Sequence, residues 1–425
     1  MSLVFLHSSF RTSSTWLWDR FRRLPETRAY CEVFHEILAT LKPGDVNTHT
    51  SNGWRSKHGD VAPYFLEFLP VLQPEGGARH YRAGMAFDRY VPADGLRAAI
   101  GADEERHLAS LVELAEAEGK VAVLSCTRSP GRLRGIRGRL GGWHVFLYRD
   151  LYQQWMSYAS LGHHANPYFL NTIHYTIDRN RHDRFLARLG GMPLHGVAPG
   201  MAIGDGRLQA DEDGLVVFAG LHLYLSMNAA GAADCCIDVN RLFREPAYRQ
   251  DVEARIAAGT GLAVDLSSVR DGIEFAPFFV ADRAALAARL EAVFAAAVDA
   301  LEGTEEERTA AAAFGRGMLD TLLASLERHQ FDIAALKPEL AERDAALRAA
   351  REEAAALRRR LDERPAGASA TDAAARVAEL ERALAEASAD AAHWRRFCAA
   401  MSDSTSWQVT RPLRWARRTA RRLLP

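Results

Sequence analysis

Residues 7–21 read HSSFRTSSTWLWDRF, directly after the short apolar run SLVFL. This stretch carries the side chains best suited to hold an anion. Arg11 supplies a fixed cation with forked donors, and Thr12, Ser13, Ser14 and Thr15 supply hydroxyls. Trp16, Leu17, Arg20 and Phe21 then recur at helical spacing. A strand that turns through small hydroxyl residues into a helix aims backbone N–H groups outward, and the helix N-terminus adds partial positive charge. That is the chemistry of a phosphate or sulfate cradle. Ser and Thr also cap helices routinely with no ligand present, so the hydroxyls alone need be no more than caps. The nucleotide-triphosphate loop GxxxxGKS/T is absent.

A second stretch, VFLYRDLYQQWMSYASLGHH at 145–164, has the same layout. An apolar strand delivers Arg149 at its carboxyl end, and Ser157 follows eight residues later in a helix. Open parallel sheets bind ligands at the carboxyl ends of their strands, so Arg149 and Ser157 can converge on one phosphate. Without a ligand, Arg149 would simply neighbour Asp150 at the surface.

Together, the strand–RTSSTW–helix loop and the strand–R-x7-S–helix element resemble the two donor-binding elements of sulfotransferases that use 3′-phosphoadenylyl sulfate (PAPS), in their bacterial, carbohydrate-type form. In that family the first loop reads roughly K/R-S-G-T-T-W-L and cradles the 5′-phosphosulfate, while the second element holds the 3′-phosphate. Arg11, Thr12, Ser13, Ser14, Thr15, Trp16 and Leu17 fall on the first pattern, and Arg149 and Ser157 on the second. Ser13 stands where the family often has Gly, which lets backbone approach a phosphate without steric cost. AYCEVFHEIL (29–38) resembles the family's second strand, LSCTRSPGRLRGI (124–136) the segment before the 3′-phosphate strand, and CIDVNRLFREPAYRQDVEARIAAGTGL (236–262) the closing strand and helix. The resemblance covers roughly residues 1–285.

The resemblance implies PAPS as co-substrate, no metal, and transfer of a sulfuryl group to a carbohydrate hydroxyl. Arg11 stands where a Lys is common and would act as an electrostatic clamp, since a guanidinium does not give up its proton. The acceptor hydroxyl needs a base. Glu32 is the first candidate and His35 the second; on one strand they would point to opposite faces. The alternative for Glu32 is a structural ion pair with one of the many Arg. Arg128 and Arg132 are expected either to hold the nucleotide or an anionic acceptor, or to form a basic surface turn. Trp54, Arg55, Tyr64, Phe65, Arg82 and Tyr90 would line an acceptor cleft or pack the core. His7, His163 and His164 are weaker candidates for the base and read first as structural or solvated.

These side chains need a scaffold, and the pattern supplies one. Strands are expected at Leu3–His7, Val121–Cys126, Val145–Tyr148, Leu215–Ala219 and Cys235–Val239, with amphipathic segments such as 93–119 and 151–161 between them. The fold class is therefore α/β: a P-loop-like, mainly parallel sheet flanked by helices over 1–285. A helical segment at 286–331 follows. Heptad-like runs over 332–400, with the linker RPAGASAT at 364–371, read as a coiled coil, two helices of a hairpin, or a solvated Ala-rich helix. Residues 401–425 form a tail whose last fifteen residues carry six Arg and no acid, either a basic amphipathic helix or an unstructured arm. SWQVTRPLRWARR within it resembles endings found after coiled coils on bacterial enzymes that build surface polysaccharides.

Composition agrees with a soluble globular chain: 425 residues, 48% hydrophobic, formal net charge −1. With 53 basic residues but only Lys42, Lys57, Lys120 and Lys337 among the lysines, any anion site must rely on Arg. Five dispersed cysteines without CxxC suit a reducing compartment and no zinc site. No signal peptide or spanning segment is evident, so the expected location is cytoplasmic, with the tail as the feature that would bring it to the inner-membrane surface. The coiled coil would support a homo-oligomer or complex, and no nucleic-acid partner is expected. Two other function classes stay open: a nucleotide kinase, disfavoured by the missing P-loop Lys, and a scaffold whose sulfotransferase domain has decayed.

Overall fold

Val4 and Leu6 face one side of the strand Leu3–Ser8, Leu3 and Phe5 face the other, and all six residues of the strand are buried. Burial on both faces makes this the central strand of a parallel sheet. The computed structural model describes residues 2–49, 63–163, 168–192, 211–269, 280 and 282–329, with scattered helical positions between 345 and 385. The chain divides into two units, Met1–Leu323 and Ala324–Pro425. Within the second, the coiled coil expected at 332–400, its linker at 364–371 and the tail at 401–425 lie outside the described residues, the scattered helical positions excepted.

The first unit alternates strand and helix. It begins with β1 (Leu3–Ser8), α1 (Ser14–Arg22), β2 (Thr27–Tyr30), α2 (Ala102–Ala117), β3 (Val121–Cys126), α3 (Leu133–Leu140) and β4 (Trp143–Tyr148). It continues through α4 (Leu151–His163), α5 (Tyr168–Arg179), α6 (Arg184–Gly190), α7 (Glu212–Ala230) and β5 (Cys235–Asp238). The helices α8 (Val239–Arg244), α9 (Pro246–Thr260), α10 (Arg283–Asp299) and α11 (Glu305–His329) follow, with α11 running past the end of the first unit. The five strands form one parallel sheet in the order β2-β3-β1-β4-β5.

Strand alternation fixes the layers. Val4, Leu6, Val123, Val145 and Ile237 pack with Leu17 and Phe21 of α1 and Val252 and Ile256 of α9. On the other face, Leu3, Phe5, Ala122 and Leu124 pack with Leu108 and Leu111 of α2. There too Phe146 meets Leu133 of α3 and Ala229 of α7. Among the described residues no helix is long and apolar enough to cross a membrane.

Two sequence expectations fail here. The run Leu215–Ala219 is the start of α7 and not a strand. Gly214–Ala229 is buried throughout, so the helix is enclosed on every side and shows no amphipathic stripe to distinguish it from a buried strand. An added Cβ at Gly220 would come 2.8 Å from Val293 of α10, which shows how tightly α10 lies on α7. The second strand is also shorter than AYCEVFHEIL implies. It ends at Tyr30 because Glu32 takes φ 52°, which no strand residue adopts, and His35 caps a 3-10 turn at Glu36–Ala39.

A chain of rings ties three strand regions together. His7 at the end of β1 bonds Ser129 Oγ through Nδ1 at 2.9 Å and His144 Nδ1 through Nε2 at 2.9 Å. His144 Nε2 in turn bonds the Gly141 carbonyl at 2.9 Å. A carbonyl only accepts, so Nε2 of His144 carries its proton and its Nδ1 accepts from His7. Burial holds His7 well below 6.5, with the neighbouring His144 as a further cause.

Burial likewise lowers His107 and His222 to about 4 each. The sign of the pH effect follows. A group whose folded value is depressed binds its proton more readily when unfolded, so its contribution is complete above 6.5 and is lost as pH falls toward the folded value. His222→Leu is therefore expected to flatten the dependence of unfolding free energy on pH between about 6.5 and 4, by up to about 1.4 kcal/mol per pH unit. Urea unfolding of wild type and variant across that range measures it. Parallel curves would mean that His222 titrates alike in both states.

Candidate functional site

Because all strands run the same way, the residues that follow them gather at one edge of the sheet. The chain leaves β1 through α1, on the Val4 and Leu6 side, and leaves neighbouring β4 through α4, which packs with α5 and α7. Adjacent strands whose connections diverge in this way open a crevice at their carboxyl ends.

The loop from Ser9 to Ser13 fills that position. Arg11 takes φ 63° and Ser13 φ 59°, the left-handed region that costs a non-glycine residue about 1 kcal/mol. Of the four described non-glycine residues with positive φ, three are Arg11, Ser13 and Glu32, all candidates for the site; the fourth is His80. Strain held at such positions must be over-determined by its surroundings. Ser13 is the N-cap of α1 yet makes no side-chain capping bond, and the first turn holds no acid. Plain capping therefore does not account for Ser13. The Thr12 hydroxyl is committed within the loop, donating to the Ser9 carbonyl at 2.7 Å. Ser14 is buried and Thr15 half-buried at the start of the helix. Trp16 packs in the apolar layer beneath, its indole N–H 3.4 Å from Ser268 Oγ.

The second stretch folds onto the first. Arg149, buried just past β4, donates from Nη1 to the Arg11 carbonyl at 3.3 Å. Arg11 Nε donates to Ser157 Oγ on α4 at 2.6 Å. Arg11 also lies over the Phe169 ring, 5.5 Å from its centre. Tertiary structure thus brings together Arg11, Arg149 and Ser157, which are up to 146 residues apart in the chain.

Glu32 and His35 sit beyond β2, across β3 from the loop. Glu32 Oε2 accepts from Arg128 Nη1 at 2.8 Å, from the Thr127 hydroxyl at 2.7 Å and from the Thr127 N–H at 3.3 Å. Burial raises the Glu32 carboxyl, opposed by the Arg128 charge and the Thr127 bonds. Arg128 is fully enclosed and also donates to Glu36 Oε2 at 2.6 Å and to the Tyr168 hydroxyl at 3.1 Å. Burial would raise Glu36 as well, but Arg128, His35 and the Tyr168 hydroxyl outweigh it and hold its carboxyl at about 2. His35 is pushed down to about 3 by burial and by Arg128, and its Nδ1 accepts from the Ile37 N–H at 3.1 Å.

An aromatic layer joins the two halves. Arg128 lies over Phe10 at 4.8 Å, and Phe10 meets Phe169 and Tyr168 edge-on. Arg128 and Arg132 form no surface turn. Arg132 is buried with Glu104 Oε1 at 2.6 Å and sits 4.1 Å over Phe34. Tyr90 is buried and donates to the Thr127 carbonyl at 2.9 Å, Phe65 lies in the core, and Arg82 is exposed 3.5 Å from Asp103. Trp54, Arg55, His164 and the His163 side chain lie outside the described residues.

Sequence reasoning missed Glu36, Tyr168, Phe169 and Gln154. Glu36 had a weak signal, one turn beyond Glu32. Tyr168 and Phe169 had none, since only tertiary packing sets α5 against the loop. Among the described residues no group of His, Cys, Asp and Glu is arranged to hold a metal ion. No family model matches this chain, and no curated protein or solved structure matches it either.

Ser13→Gly is expected to stabilise the protein by roughly 0.5–1 kcal/mol in urea unfolding, because Gly takes φ near 60° without a Cβ penalty. A loss of stability would show that the Ser13 side chain holds the loop.

Proposed function

We propose that this protein transfers the sulfuryl group of PAPS to a hydroxyl of a carbohydrate acceptor. The observation that carries this reading is the convergence of Arg11 with Ser157 and Arg149 at the crevice beside β1. Two arginines from separate strand ends, with the start of α1 between two diverging connections, suit a ligand bearing phosphates at both ends. In this reading the sheet is P-loop-like, with the anion loop after its central strand.

Arg11, Ser14, Thr15 and the first amides of α1 would meet the phosphosulfate, and Arg149 with Ser157 the 3′-phosphate. The acceptor oxygen attacks sulfur in line as the S–O bond to the 5′-phosphate breaks. The leaving 3′-phosphoadenosine 5′-phosphate (PAP) takes the electron pair, and Arg11 and the helix start balance its charge. The acceptor proton goes to Glu32. Its raised carboxyl brings it nearer to neutral pH, which is what a general base needs. The bonds to Glu32 converge on Oε2, which leaves Oε1 to take the proton. His35 is the poorer base, since its ring is held down at about 3. The acceptor as a bacterial surface glycan, a position at the inner-membrane surface and assembly through the coiled coil rest on the sequence of the C-terminal third alone.

Calorimetric titration with PAP and with ATP tests the donor site. PAP is expected to bind and ATP to bind far more weakly, with Arg149→Ala weakening PAP by about tenfold or more through loss of a charge-assisted contact. Absence of PAP binding to the wild type would overturn the reading. Glu32→Gln is expected to leave PAP affinity in place and reduce turnover by about a hundredfold. Unaltered turnover would leave Glu32 as the ion-pair partner of Arg128 and nothing more.

A further inference from the structure

Gln154 lies on α4 between Arg149 and Ser157 and is 1% exposed. A primary amide in such a place is costly unless its protons are used. Here Nε2 donates to Ser9 Oγ at 2.8 Å and to the Phe10 carbonyl at 2.7 Å. Ser157, one turn further along the same helix, accepts from Arg11 at 2.6 Å. Arg149, before the helix, donates to the Arg11 carbonyl at 3.3 Å. Three side chains of the second element thus grip three consecutive residues of the loop. Of these grips, Gln154 alone reaches Ser9 and Phe10, immediately before the left-handed Arg11.

We infer that Gln154 is a positioning residue: its amide holds the Ser9–Phe10 segment so that Arg11 and Ser13 keep their left-handed conformation in the absence of ligand. The loop's own hydroxyl bond, Thr12 to Ser9, spans only one turn and does not anchor it to the body of the protein. An apolar side chain of equal length would fill the same volume and supply neither bond. The consequence for ligand binding rests on the donor-site reading above; the consequence for the loop does not.

The test is Gln154→Met, which keeps length and removes both donors. Amide hydrogen exchange of the ligand-free protein is expected to accelerate about tenfold at residues 9–13, with Val4–Leu6 of β1 unchanged. A merely structural role would instead speed exchange in β1 and the loop together. PAP affinity is expected to fall by a similar factor. If the variant does not fold, Ser9→Ala removes one of the two acceptors and is expected to accelerate loop exchange about threefold. Unchanged loop exchange in either folded variant overturns the inference. Faster loop exchange in a protein that binds no PAP supports the role of Gln154 and sinks the donor reading alone.

Discussion

A guanidinium taken wholly out of water must be paired, and Arg128 meets that demand with partners drawn from several segments. Its partners come from separate parts of the chain: Glu32 after β2, Glu36 in the 3-10 turn beyond it, and Tyr168 at the start of α5. Phe10 of the β1 loop and Phe87 cover its faces. Leaving the enclosed guanidinium unpaired there would cost several kcal/mol, so these segments must close on one another together. The carboxyl edge of the sheet is organised around that closure.

The same closure explains the odd backbone at the edge. Glu32 can present Oε2 to Arg128 and Thr127 because it leaves the strand in a left-handed turn. The β1 loop holds two further left-handed residues, gripped from α4 by Gln154, Ser157 and Arg149. Both turns are strained, and both are fixed by buried polar bonds with tertiary origin.

Charge is divided across the edge. The β1–α1 and β4–α4 side carries Arg11 and Arg149. The β2 and β3 side carries two carboxylates, Glu32 and Glu36, that share Arg128. The Phe10, Tyr168 and Phe169 rings lie between these two groups, and the proposed reading assigns the arginines to an anionic donor and the carboxylates to an acceptor that must lose a proton.

The sequence by itself determined the parallel α/β class, four of the five strands in place, and the two separate strand–turn–helix stretches that carry RTSSTW and R-x7-S. These are local patterns: buried strands read as apolar runs, and the turn chemistry is written in adjacent residues. What only the tertiary structure decided is what each side chain touches. Leu215–Ala219 lies in a helix because its neighbours bury every side of it, which no periodicity records. Glu32 meets Arg128 rather than another Arg, and Gln154 meets the loop rather than solvent, because partners 96 and 145 residues away arrive there only when the sheet forms. Spacing along a chain fixes which residues share a turn. It cannot fix which strand end lies beside which, and that is what assembles this edge.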